Sequence, residues 1–272
     1  MSKRRRSRTV KIRELDPSKL GPQHINDIGN GFRVMIIGGP GSGKTVLIKD
    51  LMYNWSHLFA SCRAICGSAE STAQFEKLIH PLFVLDKLDI KNLEPMENLE
   101  RRQKLAVRFL EKRGMSPWHM EITDDFGYKK DYFKTEYFQK KVRNSRHWRI
   151  LDMIVGQTVK DLPDDCKQCS DGAFIFPVGN EKYRRLTYES FGIGVNYKEF
   201  CDLMDQLHQE EFTAMYIDLK KARTTSDKIE EIYSFYKADI HRVPENWKPC
   251  AWDYWNHGDQ RMRENDENEQ WS

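Results

Sequence analysis

The segment that most constrains this chain is Gly38-Gly39-Pro40-Gly41-Ser42-Gly43-Lys44-Thr45, which satisfies the spacing G-x-x-x-x-G-K-[ST]. It directly follows the apolar run Arg33-Val-Met-Ile-Ile37 and directly precedes a helix-like stretch from Lys44 to Trp55. Each residue type has a physical task. Glycines let successive backbone N–H groups converge on one oxyanion, and the following helix adds the positive end of its dipole. Lys44 extends to the outer phosphates and Thr45 offers a hydroxyl to Mg²⁺. A Gly-rich strand-to-helix turn without a ligand has the same spacing, but the flanking strand and helix are the context a nucleotide-binding loop requires.

Further strand-like runs are Arg63-Ala-Ile-Cys66, Trp118-His-Met-Glu-Ile-Thr123, Arg149-Ile-Leu-Asp-Met-Ile-Val155 and Ala173-Phe-Ile-Phe176. They alternate with helical stretches from Pro95 to Arg113 and from Tyr128 to Asn144. Such alternation predicts an α/β fold, a mainly parallel central sheet flanked by helices, as in a P-loop NTPase of the additional-strand (RecA-like) type. The last third reads as helical from Tyr197 to Asp205 and from Asp227 to Tyr236, around an edge strand at Thr213 to Leu219. With no repeat and no long Pro- or Gly-rich linker, the expected organisation is a basic arm and lead-in over 1–30, one ATPase domain over 31–240, and an aromatic and acidic tail over 241–272, loose from Trp255 onward.

Apolar residues make up 39% of the chain and charged residues 31%. No apolar run approaches the roughly 18 residues a membrane span needs, so no span is expected. Met1 to Arg8 is basic with no apolar segment behind it and does not read as a secretory signal. Its clustered charge suits nuclear import and DNA contact equally. The net charge of +3 is mild. Six cysteines without regular pairing read as buried thiols in a reducing compartment. Cys62 and Cys66, with Cys166 and Cys169, have spacings that hold zinc only where the two pairs meet in space.

Hydrolysis requires a carboxylate near the metal and a group that polarises water. Asp124-Asp125 follows a predicted strand, at the end where open parallel sheets bind ligands. Asp124 is assigned to Mg²⁺, with Thr45, and Asp125 to water; a helix N-cap is the alternative. Gln157 ends the next apolar strand, in place to touch the γ-phosphate or the lytic water, unless it is an ordinary polar strand end. From 129 to 149 the basic residues Lys129, Lys130, Lys134, Lys140, Lys141, Arg143, Arg146 and Arg149 interleave with Tyr132, Phe133, Tyr137 and Phe138. This is the pattern of a helix tracking a phosphate backbone, or of a solvated amphipathic helix. Arg146, just before the strand that ends at Gln157, is the first candidate for an arginine finger across a subunit interface. Trp247, Trp252, Tyr254 and Trp255 suit base stacking or core packing.

Taken in this order, the P-loop, Asp124-Asp125, Ser145-Arg146-His147 and the Gln157 strand make the chain resemble the viral genome-packaging ATPases of the FtsK-HerA superfamily, of the poxvirus and large-DNA-virus type. The resemblance covers Gly31 to Phe176. Its most specific parts are the loop and the run from Arg146-His147 through Ile154-Val-Gly-Gln157 to Leu162-Pro163. It implies ATP- and Mg²⁺-dependent translocation of double-stranded DNA into a preformed capsid by a self-assembled ring, commonly a hexamer. Capsid portal or vertex proteins would be partners, at virus assembly sites in host cytoplasm or nucleus or in the virion. By the same resemblance Gly38 to Thr45 bind ATP, Asp124 and Asp125 form the acidic pair, Gln157 senses the γ-phosphate, and Arg146 reaches the next subunit. Two departures stand out. Glu121 and Thr123 interrupt the strand before Asp124, and Lys167 occupies the place of an expected arginine after Leu-Pro. The residues alone also suit a helicase-like ATPase, a small-molecule kinase, or a non-hydrolysing nucleotide switch in particle assembly.

Overall fold

The computed structural model describes residues 11–24, 27, 32–86, 94–126, 130–208, 210–224 and 228–269. Most of the basic arm, together with Tyr128, Lys129 and Asp227, lies outside the described residues. Among the described residues nine strands form one sheet: β1 Arg13–Glu14, β2 Arg33–Ile37, β3 Phe59–Cys66, β4 Val84–Leu85, β5 Trp118–Asp124, β6 Ile150–Gly156, β7 Gly172–Ile175, β8 Thr213–Asp218 and β9 Tyr233–Lys237, in the order β1-β9-β8-β7-β2-β6-β5-β3-β4. The helices are α1 Lys44–Asn54, α2 Ala69–Phe75, α3 Glu94–Leu110, α4 Lys130–Lys134, α5 Glu136–Asn144, α6 Asp164–Cys169, α7 Glu181–Phe191, α8 Tyr197–Leu207, α9 Leu219–Thr224, α10 Ile229–Ile232 and α11 Trp252–Glu269.

All five residues of β2 are buried, as a continuous apolar run demands when helices cover both faces of a parallel sheet. Strand periodicity then divides the core. Val34 and Ile36 join Leu47, Leu51 and Trp55 on one face, while Met35 and Ile37 join Tyr132, Phe138 and Leu203 on the other. β2 runs parallel to both β6 and β7, and β5 parallel to β3 and β6. The loops after β2, β6, β5 and β3 therefore converge at one edge of the sheet.

The expected edge strand is internal: β8 pairs antiparallel with both β7 and β9. β9 itself replaces the C-terminal part, from Tyr233 to Tyr236, of the helix expected from Asp227 to Tyr236. Ile229, Ile232, Tyr233 and Tyr236 recur at the spacing of a helical stripe, so local periodicity favoured a helix there. Of the described residues there, Ile229–Ile232 are helical, and Tyr233 and Tyr236 are buried side chains of a paired strand. β1 pairs with β9, which makes the lead-in part of the domain. The tail expected to be loose is α11, docked through Tyr254, whose hydroxyl donates to the Cys62 carbonyl at 3.0 Å. Trp255 packs on His80 and Trp247 on Tyr53, so these aromatics serve packing. Trp252 is exposed.

Glu121, which interrupts the β5 apolar pattern, is fully buried in an ion cluster. Arg63 Nε donates to it at 2.7 Å and Lys141 Nζ at 2.6 Å; Lys141 also reaches Asp152 at 3.1 Å, and Arg33 Nε donates to Asp152 at 2.8 Å. Arg33 further donates to the Lys141 carbonyl and to the Val142 carbonyl at the end of α5, the latter an acceptor in the last turn that a helix terminus leaves open. The described part of the stretch 129–149 is amphipathic, as one of its two readings had it, with Lys134, Lys140 and Arg143 exposed, but it is neither one helix nor basic on its surface throughout. Thr135 breaks it into α4 and α5, the aromatic residues are core, Lys141 is 0% exposed, and buried Arg149 is bonded to Glu111. The zinc arrangement is also absent. Cys62 and Cys66 pack on one sheet face and Cys166 on the other, and no metal-holding group of three or more His, Cys, Asp or Glu occurs among the described residues. Nor is any described helix long and apolar enough to cross a membrane.

Candidate active site

Where β2 ends, Gly38 N–H donates to the Gly156 carbonyl at 3.1 Å, so the phosphate loop starts beside the end of β6. Gly43 begins α1 with φ 100°, a conformation that only glycine adopts without strain. A Cβ there would lie 2.7 Å from Phe212 Cδ1, because the Phe212 ring covers the loop. Lys44 folds back to donate to the Gly38 and Gly39 carbonyls at 2.6 and 2.9 Å. Partial burial pulls the Lys44 ammonium below the ordinary lysine value, against the opposing charges of Asp124 and Asp125.

The acidic pair stands across the cavity from the loop. Asp124 ends β5, and its Oδ2 accepts from Ser71 Oγ at 2.5 Å. Burial, with Asp125 beside it, raises the Asp124 carboxyl above the usual range, while the Ser71 bond opposes the rise. Asp125 adopts φ 59°, and its Oδ1 accepts from Gln157 Nε2 at 3.1 Å. Thr45 Oγ1 donates to Gln74 Oε1 at 2.8 Å. The cavity enclosed by these groups measures about 390 Å³, and Lys44, Thr45, Asp124, Asp125 and Gln157 all line it. The Thr45 hydroxyl and the half-buried Asp124 carboxylate form an all-oxygen donor set that suits Mg²⁺.

Arg146 is placed elsewhere. It precedes β6, whereas Gln157 follows it, and that strand separates them by roughly 20 Å at about 3.3 Å per residue. Its guanidinium is half exposed and pairs with buried Asp171. Lys167 pairs with Asp164 of its own helix at 2.9 Å.

Four site residues escaped the sequence reading: Ser71 and Gln74, which bind Asp124 and Thr45, their neighbour Glu70, and Phe212. Gly67-Ser68 directly after β3 was a usable signal, since Ser68 caps α2 at the same sheet edge as the P-loop. Phe212 had no local signal; its ring arrives from the loop before β8.

A match to the family described as Poxvirus A32 protein spans residues 25–221. Protein 088R of Invertebrate iridescent virus 3 is 30% identical over 234 residues, covering 85% of this chain and 85% of the relative. Protein 015R of Frog virus 3 (isolate Goorha) is 30% identical over 232 residues, covering 84% and 69%. Among solved structures, the genome packaging NTPase B204 from Sulfolobus turreted icosahedral virus 2 in complex with AMPPCP superposes with a TM-score of 0.54 at 15% identity, covering 77% of this chain and 98% of that one. At that identity the likeness is one of fold, and the fold is that of P-loop ATPases. With more than half of its length matched, the chain belongs to the Poxvirus A32 protein family.

Proposed function

We propose that this protein is the ATPase motor that drives double-stranded viral DNA into a preformed capsid. The carrying observation is the polar circuit around the phosphate loop: Thr45 to Gln74, Asp124 to Ser71 and Asp125 to Gln157. Nucleotide binding alone needs only the loop, whereas a metal-side carboxylate and a second carboxylate tied to a strand-end amide are parts that hydrolysis uses. Membership of the Poxvirus A32 family and a fold shared with B204, described as a DNA-packaging ATPase, support the same reading.

In this mechanism the P-loop amides and Lys44 hold the phosphates. Thr45 and Asp124 would hold Mg²⁺, which would supply charge neutralisation on the outer phosphates. Asp125 and Gln157 face the γ-phosphate end, and loss of that phosphate frees the Gln157 amide to return to Asp125. The protein works as a ring, with a hexamer as the expected size, docked on a capsid portal or vertex at the virus assembly site. Arg146, half exposed at the opposite end of the sheet from its own P-loop, acts on the next subunit by exchanging Asp171 for nucleotide phosphate.

The test is the ATPase rate of the purified oligomer with and without duplex DNA across a salt series. A motor shows stimulation that rises with duplex length and fades as salt displaces phosphate contacts. Equal rates with and without DNA overturn the reading, and phosphate transfer to a nucleoside acceptor would favour a kinase instead.

A further inference from the structure

Helix α2 turns one polar face toward the nucleotide cavity. Gln74 on that face binds Thr45, and Ser71 binds Asp124. Glu70 lies four residues before Gln74, so the two side chains sit one above the other on the helix surface, and Glu70 lines the same cavity. Gly67 brings the helix this close. Its N–H donates to the Asp124 carbonyl at 2.8 Å, and a Cβ on it would lie 1.9 Å from the Asp125 carbonyl oxygen. No larger residue lets the exit of β3 rest against the acidic pair, and Glu70 stands three positions beyond it.

The carboxylates of the site differ in their engagements. Asp124 is half-buried and bonded to Ser71, and Asp125 Oδ1 is occupied by Gln157. Glu70 is exposed to solvent and has neither ion pair nor hydrogen bond among the described residues. It is the carboxylate with both oxygens available to a water molecule.

We propose that Glu70 takes the proton of the attacking water, with Asp125 and Gln157 positioning the γ-phosphate and that water. The water oxygen forms a bond to Pγ as the bond from Pγ to the bridging oxygen breaks. The electron pair leaves on ADP, and the water proton passes to the Glu70 carboxylate and then to released phosphate or solvent. This inference rests on the hydrolytic reading above, though not on the DNA.

The test is Glu70→Gln in the full chain, measured without DNA: steady-state ATP hydrolysis, affinity for AMPPCP by calorimetry, and melting temperature. The expected result is a kcat lowered about 10²–10³-fold, as for loss of a general base, with AMPPCP affinity within about twofold and melting unchanged. Asp125→Asn, measured in parallel, is expected to lose less. A Glu70→Gln protein with wild-type kcat, or one whose loss is matched by lost AMPPCP binding, overturns the assignment. Wild-type hydrolysis that ignores DNA overturns the motor reading and leaves this one standing; a wild-type chain that never hydrolyses ATP overturns both.

Discussion

Gln157 Nε2 donates to Asp125 Oδ1 at 3.1 Å, joining the ends of the adjacent parallel strands β6 and β5 across the mouth of the phosphate site. Asp125 holds φ 59°, a left-handed conformation uncommon for a residue with a side chain and costly by about 1 kcal/mol or more. The bond keeps that strained residue beside Lys44, where a γ-phosphate would compete for the same amide.

Replacing Gln157 with Ala is therefore expected to leave nucleotide affinity within a few-fold of wild type and to lower kcat about 10²-fold, the scale for losing one positioned donor. Separate measurement of AMPPCP binding and steady-state turnover checks it. Unchanged turnover would remove Gln157 from the site's chemistry.

Asp124 carries a pH signature. Burial and Asp125 hold its pKa above that of an exposed aspartate, so the folded protein binds this proton more tightly than the unfolded chain does. Stability from this group is undiminished at acid pH and falls as pH rises from the unfolded value through the raised folded one. Asp124→Asn in nucleotide-free protein should melt higher than wild type at neutral pH, with the difference vanishing below pH ~4, the ordinary aspartate value, while hydrolysis is lost. Ser71→Ala removes the hydrogen bond that opposes the rise, so in nucleotide-free protein the loss of stability with rising pH should extend to higher pH.

Lys141 supports the fold from inside. Burial alone would strip its proton, yet Asp152 and Glu121 beside it hold it charged, above the ordinary lysine value. Burial alone would likewise push Glu121 up, and Arg63 and Lys141 hold it well below the usual range. Lys141→Met leaves Glu121 and Asp152 short of a partner and should cost about 3–5 kcal/mol in urea unfolding. Because the folded Glu121 pKa is depressed, the stability it contributes is present above its unfolded value and lost as pH falls through the folded one.

Phe212 covers Gly43 and also borders a second cavity of about 380 Å³ beyond Gly41 and Ser42, lined in part by Phe176 and Pro177. Phe212→Ala is expected to weaken ATP binding about tenfold, the scale of one lost aromatic contact, and to leave inorganic triphosphate binding unchanged. Calorimetry with both ligands distinguishes a contact to the nucleoside from general damage to the loop.

Local sequence determined the parts of this protein whose physics is local. The phosphate loop and Gln157 stand directly after mainly apolar runs, as strands covered on both faces favour, and Asp124-Asp125 follows a strand that His119, Glu121 and Thr123 interrupt; all three lie at the strand ends where open parallel sheets bind ligands. Tertiary structure decided the rest, because the decisive contacts join residues far apart in the chain. Ser71 meets Asp124 across 53 positions and Gln74 meets Thr45 across 29, and no periodicity records such a meeting. Tyr233 and Tyr236 fit a helical stripe and a strand equally well until β8 supplies hydrogen-bond partners. Lys141 has the same composition signal as an exposed lysine, and only Glu121 and Asp152, brought to it by β5 and β6, make it a core residue.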